Sequence, residues 1–445
     1  MSADLAIVGA GPAGMAAAVE GAAHGLSVTV LDDQPEPGGQ IYRGIERAGS
    51  DLCALLGEDY EAGRALVADF RRAQIDYRPN SMVWRLDPGA RIAYSRDRVA
   101  SIVTAHHVLI ATGAMERPVP IPGAERPGVM GAGAAQVLLK ASGLVPTGRI
   151  VLAGSGPLLL LVGCQLLNAG ATVAAVLETT ESGDYLNAAP ALPSALVGGW
   201  RDLVRGLAMK RRLKRAGIEI RAGVSGLAAT GGAVQFDAGK IACDLLLLHE
   251  GVIPQTHLAR QAGLAHCWHA EQRHWMPVVD PLGRTEQETL LVAGDAGGIA
   301  GARAAVLTGR IAARVAAGAD PGRLIAALDR ERAIRPLLDR LFRPHTALPP
   351  DEALVCRCES VVGSDIRRAV RDGAMGPNQL KAFTRVGMGP CQGRMCGLAA
   401  AEIIADERGL PVEEIGSFRI RPPIKPLTLG ELASMEGEAA EAEAL

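Results

Sequence analysis

The chain has 445 residues, enough for two to four domains that each bury a core. Apolar residues make up 48%, with much Ala, Gly and Leu and few aromatics, which suits packed α/β layers and excludes a disordered chain. A formal charge of −2 provides no polyanion-binding face, so no nucleic-acid partner is expected.

The first apolar run, Leu5 to Ala18, is split by Gly-x-Gly and lacks a basic start, so it does not read as a secretory signal. Asp4 to Val8 reads as a buried strand. Gly9-Ala10-Gly11-Pro12-Ala13-Gly14 follows, then a helix to about His24 and a second strand ending at Asp32. This is the dinucleotide-binding βαβ pattern in its proper context. Gly9 permits the tight turn, Gly11 lets backbone approach a pyrophosphate, and Gly14 lets helix pack on strand. Pro12 and Ala13 open the helix, whose free N–H groups favour phosphate. Asp32, followed by Gln34, is placed to bond the adenosine ribose.

Three further stretches resemble those of two-dinucleotide-domain flavoproteins. "PGGQIY" (Pro37 to Tyr42), with Gly39 and Gln40, sits where such proteins run beneath the flavin ring. "HVLIATG" (His107 to Gly113) is a strand ending in Ala111-Thr112-Gly113. "TLLVAGDAGG" (Thr289 to Gly298) resembles their second FAD motif, in which Gly294 and Asp295 would hold the ribityl chain, and Gly301 begins a helix aimed at the flavin.

Between these pieces, "RIVLAGSGPLLL" repeats the strand-Gly-x-Gly pattern at Gly154 and Gly156. The apolar run Ile150 to Leu167 approaches a membrane span in length, but Gly154, Gly156 and Pro157 break it into strand, turn and helix. The third glycine position is Leu159, too bulky for the closest helix approach. By residue count, Glu178 ends the next strand one position out of register with Asp32. NAD(P)H binding there is therefore not expected. "HCWHAEQRHW" (His266 to Trp275) gathers His266, Cys267, His269 and His274, but the spacing fits no standard metal site and predicts a loop.

Four cysteines lie near the end: Cys356-x-Cys358, thirty-two residues, then Cys391-x4-Cys396. Ile366, Ala369 and Val370 mark one face of a short helix between the pairs, closed near Gly373, and "GLAAAEIIADERG" predicts a second helix after Cys396. The thiols would then sit on loops at helix ends, with Arg357, Lys381, Arg385 and Arg394 nearby to offset thiolate charge. Cys-x-Cys favours a [2Fe–2S] cluster, with structural zinc as the alternative. Cys53, Cys164, Cys243 and Cys267 are isolated, so dithiol chemistry against the flavin is not expected; they read as small buried hydrophobes. Such cysteine usage suits a reducing cytoplasm, with peripheral attachment at the inner membrane through partners left open. The tail, "GSFRIRPPIKPLTLGELA", reads as extended without a helix, either an arm for a partner or a tether on its own chain. The last residues, "EGEAAEAEAL", read as acidic and loose.

Together, "GAGPAGMAAA", "LDDQPEPGGQIYRG", "ATGAMERPVPIPG", "GAAQVLLK", "AGSGPLLLL" and "GMGPCQGRMCG" resemble the flavin subunit of opine oxidases. Hydrogen cyanide synthase and dye-linked proline or D-hydroxyproline dehydrogenases have similar subunits. The resemblance implies a nested two-Rossmann α/β flavoprotein with a small helical cysteine-cluster domain. It implies a partner flavoprotein subunit of amino-acid-oxidase type that oxidises the amine, and a small ferredoxin-like subunit. The cluster falls on Cys356, Cys358, Cys391 and Cys396, and the second site, at Gly154 and Gly156, takes ATP or nothing.

The expected organisation is an FAD domain in two pieces (1–120 and 255–320), an inserted Rossmann-like domain (121–254), a connector (321–350), a [2Fe–2S] domain (351–415) and an arm (416–445). The expected function is electron transfer within a heteromeric FAD-dependent amine dehydrogenase, ending on a quinone or cytochrome. The alternatives are a self-contained NAD(P)H-dependent reductase and a non-catalytic scaffold holding Cys₄ zinc.

Overall fold

Leu5, Ala6 and Ile7 have no exposed surface, because parallel strands flank them and layers cover both faces. In the computed structural model, which describes residues 2–345 and 348–435, Ser2–Val8 is the centre of the first sheet. Asp76–Arg78, Val28–Leu31, Ser2–Val8 and Val99–Ile110 lie side by side in parallel, and Leu290–Val292 joins the far end of Val99–Ile110. The near end of that long strand pairs antiparallel with Arg91–Arg96, which pairs with Met82–Asp87. The Pro12–Ala23 and Ala302–Ala316 helices pack closely on this sheet. A Cβ at Gly309 would stand 2.1 Å from the Ala13 carbonyl oxygen.

Ala114–Glu116 and Val252–Pro254 pair antiparallel where the chain leaves this unit and returns to it. Between them lies a second parallel sheet, in the order Glu219–Arg221, Thr172–Glu178, Arg149–Ser155, Leu245–Glu250 and Val129–Gly131. The Ile150–Leu167 run is all but the first residue of the Arg149–Ser155 strand, a turn at Gly156 and all but the last residue of the Pro157–Asn168 helix. No helix among the described residues is long and apolar enough to cross a membrane. The Leu192–Arg215 helix bends at Gly199 and rests on the connector helices Arg323–Arg332 and Arg335–Leu341.

Two expectations of local structure are corrected. His266–His269 and His274–Pro277 form a hairpin rather than a loop, held by Trp268 facing Trp275 with ring centroids 5.5 Å apart. Alternation of bulky residues on two short strands outweighs the polar composition of the turn. In the tail, Leu429–Ala433 is a short helix, because Thr428 and Glu431 form a reciprocal capping box beyond the last proline.

The C-terminal unit pairs Leu354–Cys356 with Val361–Val362 and packs helices Gly363–Arg371, Pro377–Thr384 and Gly397–Arg408 around Ile366, Leu380, Ile403 and Ile404. The middle helix escaped the sequence reading. The tail then returns to the first unit. Ile424 N–H donates to the Trp84 carbonyl (2.9 Å), Lys425 pairs with Asp33, and Leu427 and Met435 pack on Trp84. Of the two expectations for the tail, these contacts fit the tether. The acidic run from residue 436 lies outside the described residues.

Candidate functional site

Gly9 needs its positive φ (+108°), since a Cβ would meet the Ala111 carbonyl oxygen at 2.5 Å. At Gly14 a Cβ would stand 1.8 Å from the Gly9 carbonyl oxygen, so only glycine lets the Pro12–Ala23 helix approach the strand. Gly11 caps that helix without a side-chain hydrogen bond, which leaves first-turn N–H groups available to an anion. Facing it, Gly39 (φ +61°) would place a Cβ 2.9 Å from Gly11 Cα. This bare backbone cleft fits a pyrophosphate.

Asp32 follows the strand beside it. Its carboxylate accepts from Ala10 N–H and from Gln34 N–H (2.7 Å), and burial pushes its pKa up to about 6. The Pro37–Tyr42 turn is pinned to the glycine loop by Gly38 N–H on the Ala10 carbonyl, at 2.8 Å. Thr112 and Gly113 lie against Gln255: Thr112 Oγ1 donates to its carbonyl (3.1 Å) and Gln255 N–H donates to the Gly113 carbonyl (2.9 Å). Asp295 Oδ1 accepts from Ala300 and Gly301 N–H at 2.9 and 3.0 Å, which positions the start of the Ala302–Ala316 helix. Gly294 N–H donates to Thr308 Oγ1 at 2.9 Å. The fold thus draws Gly9 to Gly14, Asp32, Gly39, Thr112, Gly113, Gly294, Asp295 and Gly301 around one end of the first sheet. These residues fit FAD.

Lys140 escaped the sequence reading. Its ammonium is buried, donates to Gln136 Oε1 (2.9 Å) and to the Gln40 carbonyl (3.3 Å), and has its pKa lowered to about 7 by burial. Gln136 is held in turn by Gln165, and Gln165 by the Leu56 carbonyl. The available signal was a lone lysine in the apolar "AQVLLK" run.

The second glycine loop keeps its backbone. Gly154 has φ +132°, and a Cβ there would stand 1.8 Å from the His249 carbonyl oxygen. Glu178, however, is not out of register. A bulge between Val173 and Ala175 absorbs the extra residue, so Glu178 pairs with Gly154. Its carboxylate is already bound to Lys210 Nζ (2.8 Å), and Leu159 fills the core beneath the helix. Glu250 is buried beside this loop, accepts from Thr179 Oγ1 (2.7 Å) and Ser155 Oγ (3.2 Å), and has its pKa raised by burial. His345 of the connector reaches across to donate its N–H to Glu250 (3.4 Å) and to bond Asp184 through Nε2 (2.7 Å). A cavity of about 430 Å³ remains here, lined by Arg273, Arg343, His345, Glu181 and Asp184 among others.

The four C-terminal thiols meet in pairs. Cys356 accepts from the Cys396 thiol and from the backbone N–H of Gly387, Glu359 and Cys358, which together hold its pKa down to about 5. The Cys396 thiol is raised correspondingly by that same bond. Cys358 bonds Cys391, and Gly389 is fitted against it, since a Cβ would lie 2.1 Å from Cys358 Cβ. Among the described residues no three His, Cys, Asp or Glu side chains gather to hold a single metal ion. Two adjoining sulfur pairs with backbone donors fit a [2Fe–2S] cluster. Of the four expected cations, Lys381 and Arg394 lie near the thiols. Arg385 is paired with Glu359, and Arg357, between Cys356 and Cys358, donates to the Ala124 carbonyl. Cys53, Cys164 and Cys243 are buried singly and Cys267 is half-buried in the hairpin.

Residues 3–309 match the family described as pyridine nucleotide-disulphide oxidoreductase, and residues 351–436 match the sarcosine oxidase A3 domain. With the site above, this defines an FAD-dependent oxidoreductase of nested Rossmann type with an appended helical domain. The chain is 40% identical to the A subunit of opine oxidase from Agrobacterium tumefaciens (strain Ach5), over 97% of this chain and 92% of that one. It is 34% identical to hydrogen cyanide synthase subunit HcnB of Pseudomonas aeruginosa, over 97% and 99%. The chain belongs to the family of opine oxidase A subunits. The crystal structure of L-proline dehydrogenase from P. horikoshii shares the fold, with a TM-score of 0.70 and 20% identity over 97% of this chain and 79% of that one.

Proposed function

We propose that the chain is the electron-relaying subunit of a heteromeric dehydrogenase or oxidase for an amino-acid-derived secondary or cyclic amine of opine, proline or hydroxyproline type. The observation that carries this reading is the coexistence, in one chain of this family, of a flavin-type glycine cleft and a paired four-thiol loop. Bound FAD exchanges electrons in pairs or singly, whereas a [2Fe–2S] cluster passes them one at a time. Gly9, Gly11, Pro12, Ala13 and Gly14 seat the pyrophosphate, Asp32 and Gln34 the ribose, and Asp295 and Gly301 the ribityl and ring end. Gly39, Gln40, Thr112 and Gly113 complete the cleft, and Lys140 holds the Gln40 backbone in place. Cys356, Cys358, Cys391 and Cys396 hold the cluster. Amine oxidation belongs to an amino-acid-oxidase-like partner subunit, a small ferredoxin-like subunit completes the complex, and a quinone or cytochrome takes the electrons.

The second site is read as holding an adenine nucleotide or nothing rather than delivering hydride, since Lys210 is bound to Glu178 at the ribose position and Leu159 stands where the third glycine would be. The register of Glu178 favours a second reading, a self-contained NAD(P)H-dependent reductase.

The complex, purified with its partners and assayed with opines, proline and hydroxyproline, should reduce an artificial dye. No reduction with any of them overturns the amine reading. Anaerobically reconstituted protein should contain iron and acid-labile sulfide in equal amounts. Zinc without iron overturns the cluster, and rapid flavin bleaching by NADH in the lone chain overturns the reading of the second site.

A further inference from the structure

The Leu192–Arg215 helix has two apolar sides. Ala195, Gly199 and Leu213 are buried, and Gly198 and Gly199 admit the connector so closely that a Cβ would stand 2.6 Å from Ala333 Cβ or 2.5 Å from Ile334 Cβ. The other side has no cover. Val197 is 87% exposed, and Leu196, Trp200, Val204 and Leu207 are each more than half exposed. Beyond the bend at Gly199, Trp200, Val204 and Leu207 share one arc roughly 60° wide at about 100° per residue, and Leu196 and Val197 precede the bend. Leu186 (76% exposed) and Tyr185, on the preceding Ser182–Ala188 helix, add to the same exposed apolar stretch of chain. A helix of a globular chain needs only its inward stripe to fold, so the outward one serves a second surface.

Charge indicates which surface. The helix carries Arg201, Arg205, Lys210, Arg211, Arg212, Lys214 and Arg215 against Asp202 alone, seven minus one or +6, whereas the whole chain sums to −2, leaving −8 elsewhere. Arg205, Lys210 and Arg212 are engaged by Asp59, Glu178 and Asn168. Arg211, Lys214 and Arg215 have no partner among the described residues. They continue the apolar arc at its C-terminal end, and the Arg201 guanidinium lies 5.6 Å from the Trp200 ring centroid. An outward stripe with a tryptophan, running into unpaired cations, is complementary to an anionic bilayer. There the apolar groups enter the headgroup boundary and the cations meet phosphate.

We propose that Leu192–Arg215 is an interfacial helix that seats this chain directly on an anionic lipid surface. The inference is independent of the proposed electron relay.

The test mixes the purified full-length flavoprotein with sedimentable vesicles of phosphatidylglycerol and phosphatidylethanolamine, or of phosphatidylcholine alone. Binding should favour the anionic vesicles by about tenfold or more and weaken at about 0.5 M salt. Tryptophan fluorescence should shift to the blue on binding, and Trp200→Phe should abolish the shift while retaining most of the binding. Leu196→Ser with Val197→Ser should lower partitioning about tenfold, and Arg211→Glu with Lys214→Glu at least about thirtyfold. These residues are exposed, so thermal melting should be unchanged in each variant. Absent or charge-independent binding, or variants that bind like the natural chain, overturns the proposal. So does a partner subunit that shields this helix from amide exchange in a complex that ignores vesicles.

Discussion

Leu31 pairs with Val8, which sets Asp32 beside Gly9; Glu178 pairs with Gly154 in the matching place of the second unit. The two loops share a turn, a helix start and a strand register, yet their side chains have diverged. Among the described residues Asp32 is held only by backbone N–H groups, which suits the ribose proposed for it, whereas Glu178 is bound to Lys210. Beneath the first loop a glycine lets the helix touch the strand, and beneath the second Leu159 fills that space. Backbone architecture therefore outlasts ligand chemistry, and a repeated glycine pattern is evidence of fold before it is evidence of a cofactor.

The largest effect expected from this contrast is at Gly14. Gly14→Val forces a side chain into the Gly9 carbonyl, and the purified protein should carry essentially no flavin absorbance. If the variant binds FAD normally, the two loops do not differ as described. Leu159→Ala should cost about 2–5 kcal/mol in chemical denaturation, because it opens a cavity in a closed core, and should leave the flavin bound. Lys210→Met leaves Glu178 buried without its cation and should cost about 1–3 kcal/mol, again with flavin retained. The smallest effect is the pH dependence at Asp32. Its folded pKa, about 6, lies above the ordinary 3.8, so ionisation opposes folding above about pH 6, and that opposition is gone below 3.8. Ribose hydroxyls donate to the ionised carboxylate, so FAD affinity should fall about fourfold from pH 7.5 to 5.5. Flavin titration of Asp32→Asn should show a flat profile; an unchanged slope would place the titrating group elsewhere.

Much of this was legible in the sequence, since both glycine loops and the Cys-x-Cys pair carry their geometry in local spacing. Register was not. The bulge at Ala174 changes what residue counting means, and nothing in "TVAAVLE" announces it. Long-range partners were equally silent: Lys140 finds Gln40 across 100 residues, and His345 finds Asp184 across 161. So were the partners of the cations near the cysteines, Glu359 for Arg385 and the Ala124 carbonyl for Arg357.

The Ile424 strap has a consequence for assembly. Gln392 and Arg394, on the thiol loop, donate to the Pro423 and Ile424 carbonyls, while Ile424 itself is anchored on Trp84. Those tail residues leave the ribosome after every cysteine has emerged. Until then those two donors have no acceptor on the tail, and the thiol loops are held to the nucleotide-binding units through His257 on the Gln392 carbonyl and Arg357 on the Ala124 carbonyl.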